Sequence, residues 1–182
     1  MSATQQFAHQ YLDAGYRITP IPAGEKGPNL KRWPYLKMQS DEVADYFQGD
    51  ENIGIILTGR LVDIDLDDPV AVELAKVYLP PTPMMSGREG KSPSHYWYMA
   101  DRPVEFQKWG DFLELRTQGE GTKGRQTVVE PSVTPDRTGS LLPVRWASPV
   151  NLTPSDVNPN ILRQACERIA AGVTLVRAWP KS

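Results

Sequence analysis

Leu61-Val62-Asp63-Ile64-Asp65-Leu66-Asp67-Asp68 alternates apolar and acidic residues, a pattern that predicts a strand with two dissimilar faces. Side chains alternate sides along a strand, so Val62, Ile64 and Leu66 share one face and Asp63 and Asp65 the other. At ~3.3 Å rise per residue the two carboxylates stand roughly 6–7 Å apart. They can then converge on one divalent ion, or clamp two ions ~3.5–4 Å apart. Like charges on one face are costly unless a cation or solvent compensates them. A strand end facing water, with Asp67 and Asp68 capping the next helix, accounts for the same residues without a metal.

Outward from this stretch, residues 52–57 form a second apolar run, and Thr58-Gly59-Arg60 between the two reads as a hairpin turn. Asp68-Pro69 opens a helix with Val72, Ala75, the Lys76 stem and Leu79 inward, ended by Pro80-Pro81. Residues 5–14 read as a short helix with Phe7, Ala8, Tyr11 and Leu12 as its stripe, stopped by Gly15. Residues 16–21 are β-prone, and 22–28 form a Pro/Gly-rich loop. Ser40 reads as the N-cap of a helix that buries Val43, Ala44, Tyr46 and Phe47 and ends at Gly49. Further strands are expected at 95–99, 112–116, 126–130 and 144–146. A last helix opens at Asn158-Pro159, turns Leu162, Ala165, Cys166 and Ile169 inward, and closes at Gly172. Mixed strands and helices with antiparallel neighbours read as an α+β class, one unit spanning 1–182.

Composition narrows the chemistry. Of 182 residues, 40% are hydrophobic and 9% aromatic, enough for a packed core and against global disorder. The 17 prolines and 14 glycines argue for short elements and structured loops rather than a helix bundle. Cys166 is the only cysteine and His9 and His95 the only histidines, which excludes an intrachain disulfide and a Cys/His zinc cluster. Any metal must rest mainly on oxygen ligands. The first residues lack a basic region followed by an apolar stretch, and the longest apolar runs fall far short of the ~20 residues that span a bilayer. The expectation is a cytoplasmic protein with no membrane partner. The net charge of −2 hides a segregation. Residues 17–37 hold five basic residues against Glu25, whereas 41–75 hold ten acids against Arg60. Either block reads as a plain solvated surface, or as a nucleic-acid contact and a cation site respectively.

The same face test sharpens the chemistry. In Phe112-Leu113-Glu114-Leu115-Arg116 the leucines oppose Glu114 and Arg116, and in Ser94-His95-Tyr96-Trp97-Tyr98 His95 and Trp97 oppose the tyrosines. If the apolar faces pack on helices, one opposite face collects Asp63, Asp65, Glu114, His95 and Arg116. Two Asp and one Glu are the hard oxygen donors that Mg²⁺ or Mn²⁺ prefers. With cationic donors beside them, they suit phosphoryl or nucleotidyl transfer. Taken alone, His95 reads as a hydrogen-bonded core residue and Glu114–Arg116 as a surface ion pair; the coincidence of three strands argues otherwise. The stretch Ser86-Gly87-Arg88-Glu89-Gly90-Lys91-Ser92-Pro93-Ser94 reads as a loop able to cradle phosphates, without Walker A spacing. Gly119, Gly121 and Gly124 with Lys123 and Arg125 form a second basic loop or a plain hairpin connection.

The ordered series of motifs resembles the bifunctional primase-polymerase (Prim-Pol) domain of the archaeo-eukaryotic primase superfamily, from about Gly15 to Trp146. Its residues are Leu61-Val62-Asp63-Ile64-Asp65, Gly87-Arg88 with Ser92-Pro93-Ser94-His95-Tyr96, and Leu113-Glu114-Leu115-Arg116. Flanking matches are Lys26-Gly27-Pro28 before Trp33, Asn52-Ile53-Gly54 with Thr58-Gly59, and Gln126-Thr127-Val128-Val129 leading to Pro131-Ser132. Two positions depart from the pattern: Pro93 stands where a small residue is common, and Thr134 where a histidine is common.

The resemblance implies an RRM-like catalytic sheet packed on helices, with a smaller N-terminal α/β lobe. It implies that Asp63, Asp65 and Glu114 hold two divalent ions, Mg²⁺ or Mn²⁺. His95 then contacts the triphosphate of an incoming dNTP or NTP, with help from Arg88 and Arg116. Lys31, Arg32 and Lys37, with Trp33 or Tyr35 stacking on a base, would hold a DNA template and primer. The expected activity is a template-dependent DNA polymerase or primase for plasmid, phage or mobile-element replication, in a stand-alone subunit or a piece of a longer protein with a helicase as domain or partner. Two other readings stay open: a nucleic-acid-binding initiation module with weak or no catalysis, and an unrelated Asp-x-Asp enzyme such as a nuclease.

Overall fold

Apolar residues on one side of Leu61–Leu66 decide where the helices go. In the computed structural model, which describes residues 1–90, 93–120, 123–147 and 149–180, this segment is a strand inside a large sheet. In chain order the elements are α1 (Ala3–Asp13), β1 (Ile18–Ile21), α2 (Val43–Tyr46), β2 (Asn52–Ile56), β3 (Leu61–Leu66) and α3 (Pro69–Tyr78). Then follow β4 (Met85–Arg88), β5 (His95–Ala100), β6 (Gln107–Trp109), β7 (Leu113–Arg116) and β8 (Gln126–Val129). The chain continues through β9 (Val133–Pro135), β10 (Leu141–Trp146), β11 (Ser155–Val157) and α4 (Pro159–Ala178). Short 3-10 turns cover Trp33–Tyr35 and Ser40–Glu42. The fold is mixed α and β with mainly antiparallel sheets.

The large sheet runs β6-β7-β3-β5-β4-β10-β9, with β11 parallel to β5 beyond the end of β4; the small sheet runs β1-β2-β8. Val62, Ile64 and Leu66 on β3 join Tyr96, Tyr98, Leu113 and Leu115 against α3 and α4 in one core. Each fully buried aliphatic side chain there contributes about 1.5–3 kcal/mol. A second core lies between the small sheet, α1, α2 and the other side of the large sheet, where Leu61, Met84, Trp97 and Trp146 belong. Among the described residues no helix is long and apolar enough to cross a membrane.

Local chemistry explains the boundaries. Asp68 caps α3 by accepting from Val70 N at 2.8 Å, and Pro69 fills the first position, where its missing N–H is harmless. α1 begins two residues earlier than its periodicity predicts, because Ser2 and Gln5 form a capping box. Ser40 is no cap: Gln39 precedes the 3-10 turn, and α2 stops at Tyr46, before Gly49.

Three larger expectations are corrected. β2 and β3 do not form a hairpin; β2 has both edges taken, by β1 and by β8, so after Thr58-Gly59-Arg60 the chain crosses into the other sheet. Met85–Arg88 is a strand paired with β5 and β10 rather than a loop, and Lys91 and Ser92 lie outside the described residues. Gly172 does not close α4, which runs on to Ala178. A Cβ at Gly172 would stand 2.6 Å from Leu74 Cδ1, so this glycine serves the close approach of α3 and α4.

Candidate active site

Antiparallel pairing sets the site in rows. Asp65 lies opposite His95 on β5 and opposite Glu114 on β7, and two residues away Asp63 lies opposite Trp97 and Arg116. A two-residue step keeps side chains on one face, so both rows share the face turned away from α3 and α4. Ser86 on β4 extends the first row beyond His95, and Lys108 on β6 extends it beyond Glu114.

That face is not open throughout. Trp97 and Trp146 carry the second core onto it, and Asp63, in the row level with Trp97, is 0% exposed. Asp63 therefore does not lie on an open face: the small sheet and its helices roof it over. Asp65, His95 and Glu114, one row outward, are half-buried and line a cleft of about 930 Å³ together with Lys26, Arg88 and Arg116.

Burial of Asp63 is matched by donors. The Thr127 hydroxyl donates to its Oδ2 at 2.6 Å, His95 Nδ1 lies 3.1 Å from the same oxygen, and Arg116 Nη1 lies 3.6 Å from it. Desolvation alone would raise the Asp63 carboxyl; His95, Arg116 and Thr127 outweigh it and hold the group below the usual carboxylate range. For Asp65 burial prevails, reinforced by Asp63 and Asp67 against His95 and Arg116, and its carboxyl is pushed up. Burial pulls the His95 imidazolium down, but Asp63 and Asp65 overcome it and push the pKa up to about 9, so His95 is a cation at neutral pH.

Arg116 is the common counter-charge. Its guanidinium lies 3.4 Å from Asp65, 3.6 Å from Asp63 and 3.8 Å from Glu114, and Nη2 donates to the Gln126 carbonyl at 2.6 Å. Lys108 Nζ sits 2.6 Å from Glu114 Oε1. Arg88, at the end of β4, lines the cleft.

The structure thus brings together Asp63, Asp65, Glu114, His95 and Arg116, with Arg88 facing the same cleft. It does not bring Lys31, Arg32, Trp33 and Lys37 there: the three cations are exposed outside it, and Trp33 is half-buried in its 3-10 turn. Trp33 and Pro34 pack on Gly124, where a Cβ would come within 2.6 Å of Pro34, which sets this basic segment beside Lys123 and Arg125. Gly121 of that second loop lies outside the described residues. The sequence placed Lys26 only in the basic segment 17–37 and, with Thr127, among the flanking matches, and singled out neither these two nor Lys108 for the site. Strand periodicity finds residues on one sheet face, not a hydroxyl arriving from another sheet.

Among the described residues no group of three His, Cys, Asp or Glu side chains converges as a finished metal site. The donor chemistry nevertheless fits a hard divalent cation. Asp65 and Glu114 are cross-strand neighbours at the cleft with Asp63 behind them, and the excess negative charge is answered by Arg116 and Lys108. No curated protein matches the chain. Residues 8–160, most of the chain, match the family described as "Bifunctional DNA primase/polymerase, N-terminal", and the protein belongs to this Prim-Pol family.

Proposed function

We propose that this chain performs template-directed nucleotidyl transfer, as a DNA polymerase, a primase or both, at the row His95–Asp65–Glu114. The observation that carries the reading is that row: two carboxylates and a histidine on three adjacent strands at the mouth of a cleft, in a Prim-Pol chain. Asp65 and Glu114, backed by Asp63, would hold divalent Mg²⁺ or Mn²⁺. Such ions, when bound, make the primer 3′-hydroxyl more acidic and offset the charge of the departing pyrophosphate.

The chain's own residues do the positioning. Protonated His95 and Arg88 offer donors and positive charge to the triphosphate of a dNTP or NTP. Thr127 and Arg116 keep Asp63 ionised and oriented from behind. The order β7-β3-β5-β4, with α3 following β3 on the far side, supports an RRM-like catalytic sheet. Lys31, Arg32, Lys37 and Trp33, set beside Lys123 and Arg125, would meet the template and primer outside the cleft. Replication of plasmid, phage or mobile-element DNA in the cytoplasm, with a helicase as domain or partner, completes the reading.

The test is labelled-nucleotide incorporation on a primed template with Mg²⁺ or Mn²⁺, run with both sugar types. Extension that follows the template is expected. No incorporation under any of these conditions contradicts the reading, and degradation of DNA without nucleotide points to a nuclease.

A further inference from the structure

Three stretches left idle by the catalytic row meet beneath one side chain. Lys26 belongs to the loop after β1, between Gly24 and the Gly27-Pro28 pair, a composition that by itself leaves a backbone loose. Here two successive carbonyls are held. Asn52 Nδ2 donates to the Glu25 carbonyl at 2.9 Å, and Gln126 Nε2 donates to the Lys26 carbonyl at 2.7 Å. Both amide side chains are buried, Asn52 at 2% and Gln126 at 9% exposure. Asn52 is locked in turn, its Nδ2 also donating to the Val133 carbonyl and its Oδ1 accepting from Val133 N. Gln126 lies flat on Gly54, where an added Cβ would stand 2.4 Å from Gln126 Oε1. Two buried amides, one of them packed on Gly54, thus hold the backbone of one exposed loop from β2 and β8.

That backbone presents Lys26 to the cleft wall it shares with Arg88. Among the described residues neither side chain makes a hydrogen bond or an ion pair. Desolvation, then the Arg88 charge, pull the Lys26 ammonium below its usual range, while Asp67, Asp65 and Asp136 act in the opposite sense. Two unpartnered cations in each other's field, in a partly dry cleft, are a condition that a polyanion relieves. Lys31, Arg32 and Lys37 lie outside this cleft, so the nucleotide's phosphates suit Lys26 better than those of a DNA backbone.

We propose that Lys26 is a phosphate-binding residue that acts with Arg88 on the polyphosphate of the incoming nucleoside triphosphate, and that Asn52, Gly54 and Gln126 are positioning residues that hold it. The proposal rests on the nucleotidyl-transfer reading.

The experiment titrates the intact protein with a non-hydrolysable dNTP analogue by calorimetry, and with a primer–template by fluorescence anisotropy. Lys26→Gln is expected to weaken analogue binding about tenfold or more, the loss of one charge-assisted contact, and to leave primer–template affinity within about twofold. Lys26→Arg restores most of the loss. Gln126→Ala weakens analogue binding several-fold in the native background and adds nothing in the Lys26→Gln background, because a positioning residue acts only through its client. Unchanged analogue affinity in Lys26→Gln, or a loss confined to the primer–template, overturns the proposal. An unsubstituted protein that binds no analogue sinks the transfer reading and this proposal together; binding by both proteins alike sinks the Lys26 assignment alone.

Discussion

Thr127 and Asp63 belong to different sheets, yet the Thr127 hydroxyl donates to Asp63 Oδ2 at 2.6 Å with both residues buried. The bond fastens the small sheet to the acidic row of the large one. Thr127→Val keeps the shape and removes the donor. It is expected to lower stability by about 1.5–3 kcal/mol, the range for a hydrogen bond to a charged group. Urea denaturation measures it, and a change below about 0.5 kcal/mol would mean that the bond contributes little.

Asp63 and Asp65 should part company when substituted. Removing the Asp63 carboxylate leaves His95 and Arg116 without their buried partner, and Asp63→Ala should cost about 3–5 kcal/mol. Asp65 is partly exposed and its carboxylate is disfavoured by burial and by Asp63, so Asp65→Asn should change stability by less than about 1 kcal/mol. Equal losses in the two variants would contradict the burial assignment.

His95 makes the metal-free protein pH-sensitive. Its folded pKa of about 9 lies above the free value of 6.5, so the native state holds the proton more tightly than the unfolded chain. The associated stability is fully present below pH ~6.5 and drains away as pH rises through 9. Melting temperature in chelator should fall across that window, and the fall should flatten in His95→Gln. An identical slope in both proteins would assign the dependence to other groups.

Cys166 on α4 is buried, and its thiol is pushed up to about 12, first by desolvation and then by Glu167. It should resist a thiol reagent such as DTNB in the folded protein and react stoichiometrically in denaturant. Rapid reaction under native conditions would show that α4 opens readily.

Much of the site was legible because its residues obey a period of two. Asp63, Asp65, His95, Glu114 and Arg116 reach one face by alternation alone, and pairing of β3 with β5 and β7 brings them together. The capping of α3 was likewise legible, since Asp68-Pro69 acts within its own turn. Partners from afar were not. The edge of β2 beside Thr58-Gly59-Arg60 goes to β8, some seventy residues onward, and nothing local announces that. The roof over Asp63 comes from the small sheet and its helices packing on Trp97 and Trp146, a contact between distant segments. Gly172 reads as a helix stop because a cap and a close helix contact both favour the smallest residue; only the presence of Leu74 distinguishes them.

The most direct measurement is the single-turnover rate of primer extension by Asp65→Asn and Glu114→Gln beside the unsubstituted protein, each matched for melting temperature. Both carboxylates line the cleft without supporting the core, so extension should fall by at least about a hundredfold while folding and primer–template affinity are retained. Extension within a few-fold of the unsubstituted rate in both variants would contradict the assignment of chemistry to this row.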